Sequence, residues 1–531
     1  MSVFLDDHGN PFLPLGLQVN NSSTGDPEML DREMAALKLF HGNVLEAPVY
    51  WFKSEPEQGV FDFSDLDDLV RRCREAEVFL IPLWFGFNKN GHPNYAPEWV
   101  KLHPETYHLA KGPDGADVAS LSPLCEATRE ADCRAFCALM RHIAELNRER
   151  RTILAVQVEN EIGLANTDMD YAATGLYQQP VPAVLDGIEL EDSGVEPAGT
   201  SWKSRFGRHA HEAFMAWASA CYVEQLAAAG KAICSLPMII NVRLGENGFE
   251  EAGLCYNSGA AVGRVIDIYK AAAPSVDLIC PDMYISSREQ YRRVLNRYAR
   301  QDNDLFIPES SPVGIANAMN MMEAFGDFGC IGMCCFGGSQ TLDLEGNLLP
   351  EARLAAESMH ALRAISPLLL KYRNTGRVHA IVQQEFMDRQ YIRLENYHIE
   401  AKFINRIPGR TSSRINTTDP ANRDVLEARG RAILVQSDEH EFYLAGCGVR
   451  VDFRHLPDPL AENSFPVLMS RQNGTLNFLS VEEGHFEGDA WVCDRYRNGD
   501  ESNFELYVHR GELVRIRINP AVAAAAAPCE P

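Results

Sequence analysis

The sequence lacks the segments that would direct a chain to a membrane or to nucleic acid. No run of eighteen or more apolar residues occurs, so no transmembrane helix is expected. The opening residues, MSVFLDDHGNPFLPLG, contain no basic stretch followed by an apolar one, and no signal peptide is expected. Basic residues are few, with 49 Lys and Arg against 74 Asp and Glu and a net charge of −25. Because phosphate binding requires clustered cations, nucleic acid and anionic membranes are not expected partners.

The fourteen cysteines also lack a pattern. No CxxC pair occurs, Cys133 and Cys137 are four residues apart on a predicted helix, and Cys334 and Cys335 are adjacent in an apolar run. Thiols scattered through a long chain are typical of a reduced cytoplasmic protein. We therefore expect a cytoplasmic location, and we favour buried free thiols over a structural zinc site.

Eight short apolar runs, separated by helical patterns, recur along the first two thirds of the chain. A hydrophobic content of 46% provides for a large core. Two of the helical patterns have predicted N-caps at Ser64 and Thr128. This repeated alternation predicts a (β/α)8 TIM barrel rather than a doubly wound sheet. The runs are 12–19, 43–51, 78–86, 153–161, 237–245, 276–284, 305–311 and 330–338.

The alternation ends near residue 370. Later segments alternate apolar and polar residues between turns, which is typical of antiparallel β structure. We predict a barrel domain at 1–370, with an insertion at about 164–200 in the loop after the fourth strand. An antiparallel β-sandwich-like domain is predicted at 371–520. The alanine-rich tail, 521–531, has low complexity and is expected to be disordered.

Two glutamates end predicted strands of the barrel. The run ILAVQVENEIG at 153–163 is apolar until Glu159, Asn160 and Glu161, and Glu309 ends the seventh strand in FIPESS. Burying an unpaired carboxylate is costly, but the C-terminal ends of barrel strands line a cavity. Strands four and seven lie across the barrel from each other, so we expect Glu161 and Glu309 to share one pocket. Two facing carboxylates are what retaining glycosidases require.

The neighbouring charged residues have less specific explanations. A single acid at a strand end is often an ion-pair partner or a helix cap. We favour a catalytic role for Glu309 because it is predicted to lie opposite Glu161. For Glu159 we favour a structural role, paired with an Arg or Lys deeper in the barrel. Arg243 is a candidate partner, but it could instead line the pocket beside Asn241, and both interpretations stay open.

An ordered set of segments resembles the clan A glycoside hydrolases, particularly the β-galactosidase families 35 and 42. VQVENEIG resembles the acid/base strand of family 35, and FIPESS resembles its nucleophile strand. PVYWFKSEPEQGVFDFSDLD at 48–67 resembles the second-strand signature of these families. LWFGFNKNG with YAPEWV resembles a family 35-like bacterial group with an appended C-terminal β domain. The resemblance spans about residues 12–340, and it implies that Glu161 is the acid/base and Glu309 the nucleophile.

The resemblance and the strand ends also indicate residues that bind the substrate. Tyr284 ends strand six, where a tyrosine of the clan donates to the nucleophile and holds it ionised. Trp51 and Trp84 could stack on a sugar or simply fill the core. The strand-one amides suit hydroxyl recognition but equally suit a turn. At the end of strand eight, where the clan often has tryptophan, the sequence offers Phe336. The predicted substrate-binding residues are Asn160, Tyr284, Trp51, Trp84, Gln18, Asn20, Asn241 and Phe336.

These features together predict a retaining exo-β-glycosidase, with β-galactosidase as the preferred activity, that removes terminal non-reducing sugars from oligosaccharides by double displacement. A β-glucosidase, β-mannosidase or arabinosidase of the same clan is the enzymatic alternative. A carbohydrate-binding barrel without catalysis is the alternative of another class. No metal or organic cofactor is expected, and the expected partner is an oligosaccharide or glycoside. Linkage and oligomeric state, a homo-oligomer included, stay open.

Overall fold

The computed structural model describes residues 3–520 except 149, 197, 247–249, 385–386, 404–428, 456–476 and 504–505. The strands of its first part are β1 (Leu15–Gln18), β2 (Val44–Tyr50), β3 (Phe79–Lys89), β4 (Leu109–Lys111), β5 (Asp117–Leu121), β6 (Val156–Asn160), β7 (Met238–Val242), β8 (Leu278–Pro281) and β9 (Met333–Phe336). Seven of them form one parallel sheet in the order β8-β7-β6-β3-β2-β1-β9, and β4 and β5 form a separate hairpin that the sequence did not predict.

Residues 305–311 occupy the remaining place in the barrel, between β8 and β9. Ser310 is bridged to Met283, just after β8, and Ile307 is bridged to Met333 in β9. The Met283 N–H donates to the carbonyl of Glu309 at 2.7 Å. Pro308 has no N–H to donate, so this segment makes isolated bridges rather than a continuous ladder. The predicted eight-stranded TIM barrel is thus confirmed.

Helices connect the strands on the outside of the barrel. They are α1 (Pro27–Leu39), α2 (Trp51–Ser54), α3 (Ser64–Glu75), α4 (Glu98–Lys101), α5 (Glu126–Leu146), α6 (Thr174–Tyr177), α7 (Trp202–Phe206), α8 (Ala210–Ile233), α9 (Ile266–Ala272), α10 (Arg288–Tyr298), α11 (Ile315–Asp327) and α12 (Pro350–Tyr372). Both predicted N-caps are wrong: Ser64 is the first residue of α3, and Thr128 lies inside α5. None of the helices in the described part of the chain combines the length and apolar composition needed to cross a bilayer.

Side chains alternate along the barrel strands between two apolar cores. In β2, Leu45 and Ala47 face the helices, whereas Val44 and Tyr50 belong to the core inside the barrel. This period of two also places the buried Glu46 inside the barrel. Polar side chains in the barrel interior are therefore compatible with a continuous apolar layer under the helices.

The C-terminal part contains two antiparallel sheets. Its strands are β10 (Val378–Val382), β11 (Arg389–Arg393), β12 (Tyr397–Phe403), β13 (Arg431–Asp438), β14 (Glu441–Cys447), β15 (Val449–His455), β16 (Phe478–Glu487), β17 (Ala490–Tyr496), β18 (Tyr507–Val508) and β19 (Glu512–Ile518), with a short helix α13 (Asp500–Asn503). One sheet has the order β10-β13-β14-β19-β16-β17 and the other β11-β12-β15-β18. The predicted C-terminal β-sandwich-like fold is confirmed.

Strand β13 of the six-stranded sheet is buried on both faces. Leu434 of β13 packs in the core between the two sheets, and its neighbour Ile433 packs in the core shared with the barrel helices. The fully buried Arg431 donates to the hydroxyl of Ser358 at 2.7 Å and to the carbonyl of Leu354 at 3.0 Å, both in α12.

The division near residue 370 stays a prediction, and the tail at 521–531 lies outside the described residues.

Candidate active site

The chain turns sharply at the end of β6. Glu159 and Glu161 have φ values of 62° and 47°, in the left-handed region that side chains with a Cβ rarely adopt. This backbone breaks the alternation of the strand. The Glu159 carboxylate lies against Gly86, so closely that a Cβ at this glycine would overlap Oε1. The Glu161 carboxylate lies instead with those of Asp282 and Glu309. Two acids that follow one another on a strand therefore belong to two different clusters.

Three carboxylates meet at the C-terminal ends of the barrel strands. One oxygen from each of Glu161, Asp282 and Glu309 lies within 4.8 Å of the other two. Glu161 follows β6, Asp282 follows β8, and Glu309 is in the segment that closes the barrel. All three side chains are buried, with at most 7% exposure. The structure thus brings together the two acids that the sequence singled out, and it adds a third.

Asn241 of β7 connects the members of this cluster. Its Oδ1 accepts from the backbone N–H of Glu161 at 2.8 Å. Its Nδ2 donates to Asp282 Oδ2 at 3.0 Å and to Glu309 Oε1 at 3.2 Å. One buried amide thus orients all three acids, and contact of Asn241 with a substrate stays a prediction.

Tyr284 forms the open side of the cluster. Its ring is 50% exposed, and its hydroxyl donates to Glu309 Oε2 at 3.0 Å. Burial raises the pKa of the Tyr284 hydroxyl, and the negative charge of Glu309 raises it further. The hydroxyl therefore stays protonated and remains a donor. The contact expected from the sequence between this tyrosine and Glu309 is present.

The protonation of Glu309 differs from the expectation. Burial and the negative charge of Glu161 raise the pKa of Glu309 to about 7, although Lys89, Tyr284 and Gln18 act in the opposite direction. The donors therefore do not hold this carboxyl strongly ionised while Glu161 is charged. The pair retains a proton close to neutral pH instead, which is how two like charges share a buried site.

The sequence reading missed Asp282 and Lys89. Asp282 lies two residues before Tyr284, so the period of two could have placed both on the same face of the strand. Burial and the charges of Glu309 and Glu161 raise its pKa far above the usual range. Lys89 lies beyond the predicted end of strand three, because β3 continues to that residue. Its ammonium lowers the pKa of both Asp282 and Glu309 and is buried at this end of the barrel.

The second cluster lies between the sheet and the helices. Asp132 of α5 accepts from the indole N–H of Trp84 at 2.8 Å and from the hydroxyl of Tyr222 at 2.7 Å. Burial raises the pKa of both Asp132 and Glu159, and these two carboxyl groups interact directly. In the described residues no Lys or Arg forms an ion pair with Glu159, and Arg243 is exposed. The expected basic partner for Glu159 is therefore wrong: another acid, Asp132, takes its place.

The two tryptophans are both part of the core. Trp51 begins α2, is fully buried, and donates to Glu55 at 2.9 Å while packing edge-on against Trp99. Trp84 lies in the middle of β3, also fully buried. Neither ring presents a face to the pocket, so we leave both out of the proposed substrate site.

The strand-one amides have different surroundings. Gln18 is buried, donates to Glu46 at 3.3 Å and lies close enough to Glu309 to lower its pKa. Asn20 donates to Glu33 at 3.0 Å and to Ser339 at 2.7 Å. Gln18 therefore lies at the pocket, whereas the amide of Asn20 joins two loops.

The remaining predicted residues lie at strand ends. Asn160 donates to Asn90 at 3.1 Å and is fully buried. Phe336 ends β9 and is half-buried, with its backbone N–H donating to the carbonyl of Ser310 at 3.0 Å. Their contact with a substrate stays a prediction.

The cluster is better suited to proton chemistry than to a cation. Three carboxylate oxygens within 4.8 Å could surround a hard divalent ion. However, Asn241 and Tyr284 already donate to these carboxylates, and the Lys89 ammonium shares the site. A donor set that includes a buried cation favours carboxyl groups that exchange protons, and we assign no metal to it.

Family models match two parts of the chain. The model described as beta-galactosidase, glycoside hydrolase family 42, matches residues 21–178, which include Glu161. A model described as a domain of unknown function (DUF5597) matches residues 356–508. The finer expectation of a family 35-like group is not confirmed. No curated protein matches the sequence significantly.

Solved structures share the barrel at low sequence identity. The catalytic domain of a beta-amylase from Paenibacillus polymyxa is 13% identical, with a TM-score of 0.50, and the match covers 67% of this chain and 98% of that one. A beta-galactosidase from Rahnella sp. R3 is 16% identical, with a TM-score of 0.49 and coverage of 69% and 58%. One from Halorubrum lacusprofundi is 14% identical, with a TM-score of 0.48 and coverage of 68% and 62%. The chain thus spans about three fifths of these two beta-galactosidases. Residues 21–178, which the family 42 model matches, form part of a TIM barrel, and the two findings together support a glycoside hydrolase.

Proposed function

We propose that the chain is a retaining exo-β-glycosidase and that terminal β-galactosides are its substrates. The observation that carries this proposal is the separation of the two predicted catalytic acids. An oxygen of Glu161 lies within 4.8 Å of one of Glu309. Retaining enzymes hold their carboxyl groups about 5–5.5 Å apart, whereas inverting enzymes leave about 6.5–9.5 Å for a water molecule. The spacing supports double displacement.

The contacts of the two acids support different roles. Both carboxylate oxygens of Glu309 accept from a neutral side chain, Asn241 on one and Tyr284 on the other. Such donors orient a nucleophile without taking its electron pair away as a proton would. Glu161 is positioned through its main chain instead: its N–H donates to Asn241, and its carbonyl accepts from Asn257. This supports Glu309 as the nucleophile and Glu161 as the acid/base.

In the first step, Glu309 attacks the anomeric carbon and the bond to the leaving oxygen breaks. Glu161 gives its proton to that oxygen, so the leaving group departs as an alcohol. In the second step, the now ionised Glu161 takes a proton from water. That water attacks the same carbon and releases Glu309, which restores both groups.

The choice of galactose rests on the family 42 segment and on the resemblance of the strand-end motifs. Glucose differs from galactose at C4, mannose differs at C2 and C4, and arabinose lacks the hydroxymethyl group. Because these differences are small, β-glucosidase, β-mannosidase and arabinosidase activities are the enzymatic alternatives. A barrel that only binds carbohydrate is less well supported, because a binding site has no need for two acids that share a proton at this distance.

The test is a panel of 4-nitrophenyl β-glycosides that differ at one stereocentre, with proton NMR of the first product. We expect the galactoside to be hydrolysed fastest and the β-anomer to appear first. The Glu309→Ala variant, prepared in the same way, controls for a contaminating activity. An α-anomer as first product would contradict retention. Calorimetric binding of galactosides without turnover would favour the binding barrel.

The proposed organisation assigns catalysis to the barrel at 1–370 and leaves the β domain at 371–520 without a catalytic acid. Light scattering on the purified chain would determine whether it is a homo-oligomer. Fractionation of cells would test the proposed cytoplasmic location.

A further inference from the structure

Asp282 is a third acid in the cluster, and neither of the two proposed chemical roles uses it. Its Oδ2 accepts from Asn241 at 3.0 Å. Its Oδ1 is buried and accepts no hydrogen bond from any group in the described residues. One oxygen of Asp282 lies within 4.8 Å of an oxygen of Glu161 and of Glu309. A buried carboxylate oxygen without a donor, next to two further acids, needs an explanation.

A proton on Oδ1 resolves this arrangement. It removes the charge of the acid that is the most deeply buried of the three, and it turns an unpaired acceptor into a donor. The recipient is Glu161, since Glu309 already accepts from Asn241 and Tyr284, whereas Glu161 is held mainly through its backbone. The raised pKa of Asp282 has the same direction, and its causes include a side-chain hydrogen bond to Glu161.

We propose that Asp282 is a positioning residue: it stays protonated through the reaction and donates its Oδ1 proton to the carboxyl group of Glu161. This inference rests on the proposed function, because it gives Asp282 a role through the acid/base. A neutral donor fixes the orientation of Glu161 without competing for the sugar.

The hydrogen bond has a use in both half-reactions. When Glu161 is protonated, the Asp282 hydroxyl binds its carbonyl oxygen, so the Glu161 proton is directed to the leaving oxygen. When Glu161 is ionised, the same hydroxyl stabilises the carboxylate until it accepts the proton of water. Asp282 itself neither gains nor loses a proton, and the balance of the reaction is unchanged.

The titratable groups around Asp282 come from several elements. Glu161 and Glu309 oppose its ionisation, whereas Lys89 of β3 favours it. Tyr284, Cys280 and Tyr298 feel its charge and have raised pKa values, so they stay neutral donors at working pH. Lys89 thus favours the ionised form of Asp282, and the experiment below determines whether Asp282 is protonated in its presence.

Asp282→Asn and Asp282→Ala distinguish a neutral donor from a charge. Asparagine keeps a donor and is neutral at every pH, so it reproduces a protonated aspartate. We expect Asp282→Asn to keep kcat/KM within about threefold of the parent, with the alkaline limb of its pH profile unmoved. Asp282→Ala loses the donor that stabilises ionised Glu161. Its kcat on a glycoside with a poor leaving group should fall by about tenfold or more, and its alkaline limb should move to higher pH.

Glu159→Gln is the matched control, since it neutralises a buried acid of the other cluster. It should leave the pH profile unmoved. A loss in Asp282→Asn as large as in Asp282→Ala would overturn the proposal, as would an alkaline limb moved to lower pH in either variant. If Asp282→Ala does not fold, the alkaline limb of the Asp282→Asn pH profile is the test: an unmoved limb supports the proposal, and a limb moved to lower pH overturns it. A parent chain that hydrolyses no glycoside at all would refute the proposed function rather than the proton on Asp282.

Discussion

Glu159 and Glu161 are the same residue type, two positions apart at the end of one strand, and their surroundings differ in every respect that matters for chemistry. Glu159 lies between sheet and helices, against Asp132, which holds an indole and a phenol donor. Glu161 lies at the end of the barrel with Asp282 and Glu309, beside a half-exposed tyrosine. One pair is closed on itself, and the other can exchange a proton with a ligand.

Under the proposed function, the outer acids differ from the inner pair in two ways: a ligand can reach them, and their hydrogen-bond partners are unequal. In the inner pair, burial raises both pKa values and no cation or opening is present in the described residues to separate the two roles. In the outer cluster, Asn241 and Tyr284 donate to the carboxylate of Glu309, whereas Glu161, the proposed acid/base, is held through its backbone. The predictions below test this contrast, from the largest expected effect to the smallest.

Glu309→Ala should have the largest effect. Without the nucleophile, kcat on every glycoside should fall by roughly 10⁴-fold or more. Azide or formate should restore part of the activity and give an α-configured product, because a small anion can occupy the vacated face. Rates and product configuration, measured by absorbance and NMR, check this. A loss of the same size in Glu159→Gln would remove the distinction between the two clusters.

Glu161→Ala should have an effect that depends on the leaving group. Loss of the general acid should cost roughly 10²–10⁴-fold for alkyl or sugar leaving groups, which need a proton. For dinitrophenyl glycosides, which depart unaided, the first step should slow by less than tenfold. Azide should give a β-glycosyl azide from the intermediate. A response identical to that of Glu309→Ala would make the assignment of roles wrong.

Replacing either buried acid by its amide should change stability in the same direction but activity in different ways. Folding raises the pKa of Glu309 from an ordinary value of 4.5 to about 7. Between these two pH values the unfolded chain is already ionised at this residue while the folded state keeps its proton, so the free energy of unfolding falls as pH rises. Glu309→Gln removes that cost and should raise stability at pH 8 by up to about 3 kcal/mol, with little gain at pH 4. Thermal melts at the two pH values measure the gain.

Glu159→Gln is the counterpart in the inner pair. Its pKa is also raised by burial, so it should be stabilised at pH 8 relative to the parent as well. Only Glu309→Gln should lose turnover. Inactivity of Glu159→Gln at full stability would mean that the inner pair takes part in the chemistry.

Trp84→Phe should have the smallest effect on activity. The indole N–H that donates to Asp132 would be lost, which should cost about 1–3 kcal/mol of stability. KM should stay within twofold, because the ring is buried away from the pocket. A tenfold rise in KM would restore Trp84 as a sugar platform and contradict its placement in the core.

Much of the barrel could be predicted because apolar runs flanked by helices have few alternatives. Strand β2 covers Val44–Tyr50 within the predicted run 43–51, and β7 covers Met238–Val242 within 237–245. The two acids could be placed because the C-terminal strand ends of a barrel line one cavity. Their meeting follows from topology alone and needs no side-chain detail.

The rest depends on local backbone and packing that no sequence pattern reports. The left-handed conformation at Glu159 directs its carboxyl group outward, and the close approach at Gly86 permits it. A strict period of two would have placed Glu159 and Glu161 on one face. Trp84 was predicted to bind the substrate, but it lies in the middle of β3 and its indole donates to Asp132 of α5. The raised pKa of Glu309 depends on the sum of burial and several charges.

The most direct test of the account is to locate the covalent intermediate. Incubation with a 2-deoxy-2-fluoro-β-galactoside that carries a good leaving group should inactivate the protein and add one fluorosugar, because fluorine slows the second step more than the first. Peptide mass spectrometry should then find the ester on Glu309, and on neither Glu161 nor Glu159. An ester on Glu161 would exchange the roles of the two acids. Steady turnover of this reagent without a labelled peptide would contradict a retaining mechanism.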